Sequence, residues 1–453
     1  MAITETPVPG PAGLPLLGSM LDLRSDSLAT YLRAHRAYGD VVRLTAGPPG
    51  LRVQLYGVFS AEGAQHVLAT ESANFRKDNT FYQEIRESFG NGLLTSQDDD
   101  YLRQRRLVQP LFTRRRVDGY AGAVTAEVAA MTRKWRTAPG DTVDVVDEMT
   151  RLTLRAVARV LFGVDVDEAV GVVERCFPVI GAYVMRRGYS PLNVPREWPT
   201  PGNRRAAAAT DELYAVCDRI VEERRARGAD ATGEDLLTLL AQAGSDEDGS
   251  LDASEIRDQV LVFLLAGHET TATSLAFALH LLARHPEQQE RARAEAARVL
   301  AGRTPSAADL EALPYLTMVL KETMRLYPAG PVIGRRAVDA TVIDGHAIPA
   351  GANVIVAPWV THRHPRYWDD PERFDPERFT PAREQERPRY AWFPFGGGPR
   401  ACIGRHFSML ESVLALAMIV QEYEVTAVDR TVPVSAGITL RATGPARCAL
   451  RPR

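Results

Sequence analysis

The sequence predicts a mainly α protein with a minor β part, and three observations carry that prediction. Apolar residues recur at helical spacing through most of the chain after about Ser60. Strand-like runs occur only near the N-terminus and again beyond position 340. No internal repeat, low-complexity block or linker divides the 453 residues. Length alone would allow two or three domains, but one large helical unit over 1–453 is the expected organisation.

Taken in order, Pro7 to Leu17 is rich in proline and glycine and should run extended across the surface. Tyr38-Gly-Asp-Val-Val-Arg-Leu and Arg52-Val-Gln-Leu-Tyr read as short strands of a small sheet. Helical spacing follows at Ala123–Arg136, Val143–Phe162 and Thr210–Arg227. Gly244 to Gly249 is a polar, acidic loop. Asp252 or Ser254 then stands ready to cap a long helix from about Ile256 to His285, which Pro286 stops. A second helix covers Met318–Leu326 and ends before Pro328. Strands return at Ala340–Ile348 and Ala352–Val356. Pro365 to Pro394 carries little regular pattern, and a last helix should begin near Cys402 and continue through Val420.

Composition narrows the function. With 45% hydrophobic and 25% charged residues the chain reads as a folded globular protein. Its 57 acidic and 54 basic residues give a formal charge of −3, which lacks the basic excess of a nucleic-acid binder. Lysine occurs only at Lys77, Lys134 and Lys321, which reads as coding bias without functional weight. Four scattered cysteines, at 176, 217, 402 and 448, suit neither a disulfide scaffold nor a zinc knuckle, so a reducing, cytoplasmic setting is expected. The N-terminus has no basic, apolar leader pattern. The apolar run Val260–Gly267 falls short of the roughly 20 residues a membrane span needs, so a soluble protein without a membrane anchor is expected.

The richest segment is Phe393-Pro-Phe-Gly-Gly-Gly-Pro-Arg-Ala-Cys-Ile-Gly-Arg-His-Phe407. Its three glycines let a backbone turn sharply and approach something flat and bulky. A helix starting at Cys402 would favour the thiolate. A phosphate loop is excluded, because no Lys-Ser or Lys-Thr follows at the required spacing. Phe395-Gly-Gly-Gly-Pro-Arg-Ala-Cys402-Ile-Gly resembles the haem-binding signature of the cytochrome P-450 family, the haem-thiolate monooxygenases. The resemblance implies a mainly helical P-450 fold around haem b, with Cys402 as the axial iron ligand and Phe395 as its shield. It also implies Arg400 as a propionate partner and Gly404 as the residue that lets the next helix approach the porphyrin. A thiolate pushes electron density into the iron and favours O–O cleavage.

Three further motifs extend the resemblance over nearly the whole chain. Ala266-Gly-His-Glu-Thr-Thr271 is similar to the family's acid–threonine pair. It implies Glu269 and Thr270 as the residues that help deliver protons during oxygen activation, with Ala266 over the haem and Gly267 thinning the helix to admit oxygen. A buried, unpaired Glu269 has no cheap structural explanation, whereas His268 reads as structural. Lys321-Glu-Thr-Met-Arg-Leu-Tyr-Pro is similar to the Glu-x-x-Arg motif, which implies a buried network of Glu322 and Arg325 with Arg378 from Phe374-Asp-Pro-Glu-Arg-Phe379. An early helix implies Tyr101, where the family usually has Trp or His, and Arg105 as haem contacts. Arg335, preferred to Arg336, is implied as the arginine for the other propionate.

The resemblance implies that O2 is the co-substrate and that a lipophilic small molecule is oxidised, first of all a terpenoid or polyketide and second a fatty acid or steroid. Residues between Phe75 and Leu94, Phe177 to Val194, Phe263, Ala266, Ala329 to Ile333 and Gly437–Ile438 should line the pocket. With no fused reductase expected, electrons would come from NAD(P)H through a ferredoxin and a ferredoxin reductase. The arginines at 103, 106, 114, 115 and 116 are a candidate docking face for the ferredoxin, and the enzyme is expected to be a monomer. A peroxide-using haem-thiolate enzyme and a non-catalytic haem sensor are the rival classes; the retained Glu269-Thr270 pair weighs against both.

Overall fold

A computed structural model of the protein describes residues 7–48, 52–137, 142–162, 167–188, 190, 193–226, 235–245 and 247–453. The first six residues, position 227 at the end of an expected helix, and position 246 of the acidic loop lie outside these. The central element is the helix Ala253–Arg284, 32 residues long and so about 48 Å from end to end. Asp252 starts it with a capping box. Its carboxylate accepts the Glu255 N–H at 2.9 Å, and the Glu255 carboxylate accepts the Asp252 N–H at 2.9 Å. Most of its residues from Ile256 to Ala283 are buried, because other helices surround it on most sides. Among the described residues it alone is long and apolar enough to cross a membrane, and 72% of its most apolar window is buried inside the protein. Pro286 ends it and opens the next helix, Pro286–Leu300.

Val145–Phe162 packs along the central helix, and Arg405–Glu422 and Pro314–Leu326 also pack against it. A roof of Asp167–Gly188 and Pro201–Ala226 lies over Thr80–Phe89 and the central helix. The main sheet has the order Val41–Ala46, Val53–Val58, Asn353–Val356, Ile333–Ala337, Phe75–Arg76. Only the Val53–Val58 and Asn353–Val356 pair runs parallel. Strands from both ends of the chain therefore build one sheet, which carries its own apolar cluster beside the larger helical core.

Several sequence expectations are adjusted here. The stretch before the first strand contains a helix, Met20–Tyr38, whose apolar residues are too sparse for its period to stand out. Asp167–Gly188 tolerates Pro178 in its interior. The acidic loop closes as a tiny hairpin of Gly244–Ser245 with Gly249–Ser250. The last helix starts at Arg405, with Gly404 as its N-cap, so Cys402 lies in the preceding loop.

Candidate active site

A cavity of about 340 Å³ lies beneath the middle of the central helix. Its floor is the loop from Pro394 to Gly404, and its ceiling is Ala266, Gly267 and Thr270. Cys402 is exposed to this space, whereas Cys176, Cys217 and Cys448 are buried. Desolvation pushes Cys217 and Cys448 up to about 12 and Cys176 to about 11, so all three are inert thiols. Desolvation also raises Cys402. The Gly404 N–H and the charges of Arg105, Lys77 and Arg405 pull in the opposite direction, toward the thiolate.

The loop is pinned from both ends. Cys402 N–H donates to the Phe395 carbonyl at 2.9 Å, closing the turn under the Phe395 ring. The glycines serve the protein's own packing. Gly398 has φ +62°, and a Cβ there would stand 1.9 Å from the Leu68 carbonyl oxygen; a Cβ on Gly397 would strike the Tyr390 ring at 2.4 Å. Behind the loop is the buried network. Glu322 and Arg325 are both 0% exposed, and Arg325 reaches the two Glu322 oxygens at 2.6 and 2.8 Å. Arg325 also donates to the carbonyls of His362, Pro371 and Arg373. Glu322 accepts the Asp375 N–H at 2.9 Å and faces Arg378 Nε at 3.5 Å. The link to the cysteine loop is His362, whose Nε2 accepts the Phe393 N–H at 3.0 Å. Burial and the neighbouring Arg325 and Arg363 hold this imidazole neutral, down at about 3.

One rim of the cavity is cationic. Lys77, Arg335 and Arg400 converge there, and among the described residues none of the three has a carboxylate partner. Arg400 reaches Gln97 at 3.2 Å and leaves Nη1 buried and unpartnered. Arg335 bonds the Gly334 carbonyl at 2.7 Å, and Lys77 the Leu94 carbonyl at 3.2 Å. Burial and mutual repulsion push Lys77 well below its ordinary value, and burial brings Arg400 to about 10. Three desolvated cations without an acid need an anionic partner. These cations could hold the carboxylates of a cofactor whose metal the Cys402 thiolate would ligate. Arg335 rather than Arg336 faces the cavity because successive strand side chains alternate; Arg335 is 4% exposed and Arg336 lies outside. Lys77, set aside in the sequence as coding bias, is thus a site residue. Its rarity was the one available signal.

Other placements depart from expectation. Tyr101 donates its single proton to the Pro399 carbonyl at 2.7 Å and lies 3.3 Å under the Arg400 guanidinium, so it supports an arginine and leaves no donor for a propionate. Arg105 lines the cavity while bonding Gln109 at 3.0 Å and the Ala401 carbonyl at 3.1 Å. Gly404 has only Cys402 Sγ near its Cβ position, at 3.9 Å. A Cβ on Gly267 would meet Val157 at 3.0 Å, so this glycine lets two helices approach. Ala266 and Thr270, one turn apart, share the cavity face, and Thr270 Oγ1 donates to the Ala266 carbonyl at 2.7 Å. Glu269 is neither unpaired nor in the cavity wall. Its carboxylate takes Arg441 at 2.8 Å and Thr439 at 2.9 Å. Thr270 therefore faces the cavity while the neighbouring Glu269 is turned to Arg441 and Thr439 outside it. His268 is buried against the Phe177 ring, as a structural residue should be.

Leu93, Leu94, Phe263, Ala329 and Ile333 line the apolar part of the cavity as anticipated, joined by Val157, Val160, Leu161 and Leu236. Phe177 to Val194 and Gly437–Ile438 do not reach it among the described residues. The arginine face is also mixed in sign: Arg103 pairs with Glu255, Arg106 with Asp248, and Arg114 with Glu311.

Comparison with known proteins agrees with this geometry. The family model described as cytochrome P450 matches residues 8–442. The chain is 36% identical over 423 residues to cyclooctat-9-en-7-ol 5-monooxygenase of Streptomyces melanosporofaciens, covering 93% of this chain and 90% of the relative. It is 33% identical to pentalenene oxygenase of Streptomyces avermitilis, covering 92% and 90%. The crystal structure of the cytochrome P450DA heme domain superimposes with a TM-score of 0.89 at 29% identity, covering 99% of this chain and 98% of that one.

Proposed function

The chain belongs to the cytochrome P450 family and is a haem-thiolate monooxygenase, and we propose that it oxidises a cyclic terpenoid. The observation that carries the site assignment is Cys402, the one described thiol open to the cavity, lying opposite Ala266 and Thr270. The apolar lining supports a lipophilic substrate. Two Streptomyces relatives named for cyclic terpenoid substrates favour that class over fatty acids and steroids. Haem, when bound, supplies the redox centre at which O2 is reduced and one oxygen atom passes to the substrate.

The protein's part is binding, orientation and proton handling. Cys402 is the proposed ligand, kept in place by Phe395 and, through His362, by the Glu322–Arg325 network. Lys77, Arg335 and Arg400 would hold the haem carboxylates, and Arg105 and Tyr101 stiffen the loop beside them. Leu93, Leu94, Phe263 and Ile333 exclude water from the reacting face. Thr270 already donates to Ala266, so its free lone pairs accept from a water and hold that water's proton at the cavity wall. Glu269 acts as a positioning residue, tying the central helix to the strand Leu440–Ala442 through Arg441.

Electrons come, on this reading, from NAD(P)H through a separate ferredoxin and ferredoxin reductase in the cytoplasm. The test is a panel of cyclic terpene hydrocarbons and alcohols against fatty acids and steroids, scored by the shift of the haem absorption band. Product is then assayed with ferredoxin, reductase and NAD(P)H. Shifts with cyclic terpenes and a product one oxygen heavier are expected. Shifts with fatty acids or steroids alone would overturn the substrate class, and turnover driven equally well by peroxide without the partners would favour the peroxide-using class.

A further inference from the structure

One apolar wall of the cavity comes from a loop, Gly90 to Ser96, that is neither helix nor strand, yet presents Leu93 and Leu94 to the cavity. Two buried glutamines hold it. Gln259 on the central helix is 0% exposed, and Gln104 on the helix Asp98–Val108 is 1% exposed. Neither lines the cavity. Gln259 Oε1 accepts the Leu93 N–H at 3.0 Å, and Gln259 Nε2 donates to Gln104 Oε1 at 2.9 Å. Gln104 Nε2 then donates to the Asn91 carbonyl at 2.8 Å. This chain of bonds leaves the loop at Leu93 and returns to it at Asn91.

Direction is built into the circuit. The Leu93 N–H can only donate, so Gln259 must turn its oxygen to Leu93 and its NH2 to Gln104. Gln104 must then turn its own NH2 to the Asn91 carbonyl. None of the four side-chain amide atoms is left without a partner. Further bonds press the same loop down. Asp258 Oδ2 accepts the Asn91 N–H at 2.7 Å, and Asn91 Nδ2 donates to Asp100 Oδ2 at 2.6 Å. A Cβ on Gly92 would stand 2.7 Å from the Asp258 carbonyl oxygen, so the loop lies directly on the central helix. Apolar side chains would join these elements without the desolvation cost of two amides. A satisfied polar network instead specifies one arrangement of the groups it joins. Here the groups so placed are Leu93 and Leu94.

We infer that Gln104 and Gln259 are positioning residues for substrate selectivity, registering Leu93 and Leu94 in the apolar wall from behind it. The inference deepens the proposed function and rests on the cavity being the substrate site. The ligands it concerns are rigid, apolar ring systems. Such a skeleton cannot bend to follow a displaced wall. Its affinity, and the carbon it turns to the reacting centre, therefore depend on where the two leucines stand.

The experiment uses the haem-loaded enzyme and two probes that ligate the haem iron, imidazole and 4-phenylimidazole, followed by the shift of the haem band. Both read access to the iron, and only the phenyl ring reads the apolar wall. Gln259→Met and Gln104→Met keep the side-chain length and remove the bonds. Each should weaken 4-phenylimidazole by roughly 10-fold, the low end of what a misfitted apolar contact is worth, and leave imidazole unchanged. The double variant should lose little more than either single one, because the circuit is already broken. Hydrogen exchange reads the clamp itself. The Leu93 amide should exchange slowly in the wild type and roughly 10-fold faster in Gln259→Met, about the worth of one buried hydrogen bond. An azole affinity ratio that keeps its wild-type value in both variants overturns the inference, as does equal weakening of both azoles, which marks a merely structural role. A Leu93 amide that exchanges freely in the wild type also overturns it, and that measurement needs no variant to fold. If Gln259→Met does not load haem, Gln104→Met decides by the same ratio. Failure of the monooxygenase reading would appear separately, as absence of product from the wild-type enzyme with its electron partners, and the azole ratio and Leu93 exchange would still test the glutamines.

Discussion

Glu322→Ala is the perturbation whose size the structure defines best. The carboxylate holds two guanidiniums and one main-chain N–H in a space with no access to water. Removing it strands the fully buried Arg325 and the nearly buried Arg378 together. Breaking one side of a buried pair costs about 3–5 kcal/mol, a large share of the roughly 5–15 kcal/mol that keeps a domain folded. A chain of 453 residues at about 2.1 cal/mol/K per residue has an unfolding entropy of about 0.95 kcal/mol/K. The melting temperature should therefore fall by about 3–5 °C. Arg325→Lys should come close to the same loss. An ammonium cannot reach both Glu322 oxygens and the carbonyls of His362, Pro371 and Arg373 from one point. His362 would lose its anchor, and the Phe393–Cys402 loop with it, so haem content per protein should drop in parallel. The assays are a thermal melt and the haem-to-protein absorbance ratio. A Glu322→Ala protein that melts within 1 °C of wild type with full haem would refute the reasoning.

Three other outcomes can be checked. Reduced protein under carbon monoxide should show the red-shifted band of thiolate ligation; Cys402→Ala should lose it, while Cys176→Ala, Cys217→Ala and Cys448→Ala keep it. Thr270→Ala should keep consuming NAD(P)H through the electron partners but release hydrogen peroxide in place of product, with a rate loss of about 100- to 10,000-fold for the productive path; unchanged coupling would move the proton path elsewhere. Asp40, whose carboxyl accepts from His35 at 3.2 Å and His364 at 2.9 Å, is held well below the ordinary carboxylate range by those bonds. Its stabilisation is therefore complete above its unfolded value of about 3.9 and is lost only as pH falls toward the folded value. Asp40→Asn should be less stable by about 1.5–3 kcal/mol throughout pH 5–8 in urea melts. A deficit that vanished at neutral pH would count against the cluster.

Much of this protein was legible in one dimension because its signals are local. The cap at Asp252, the stop at Pro286 and the apolar period between them specify the central helix without reference to anything else. Glycines before Cys402, and Glu322 three residues before Arg325, are likewise short-range patterns. Alternation within Ile333–Ala337 puts Arg335 and Arg336 on opposite faces of the strand, and the fold makes Arg335 the inward one. Helix Met20–Tyr38 was missed for the same reason in reverse: its apolar period is weak, and its place is held by contacts far along the chain, with Pro358–Thr361 and Val434–Ala436.

What the sequence determined by itself is therefore the fold class, the family and the identity of the candidate ligand, since each is written in residues a few positions apart. Only the tertiary structure decided which way polar side chains turn and what they meet. Glu269 turns to Arg441, 172 positions away along the chain. Tyr101 gives its proton to Pro399, 298 positions away, and Lys77 joins Arg335 and Arg400 at one rim of the cavity. A side chain's role depends on the charges and dipoles within a few ångströms of it, because a buried polar group must find a partner wherever the chain brings one. Those neighbours come from segments hundreds of residues apart, and no pattern along the chain records their meeting.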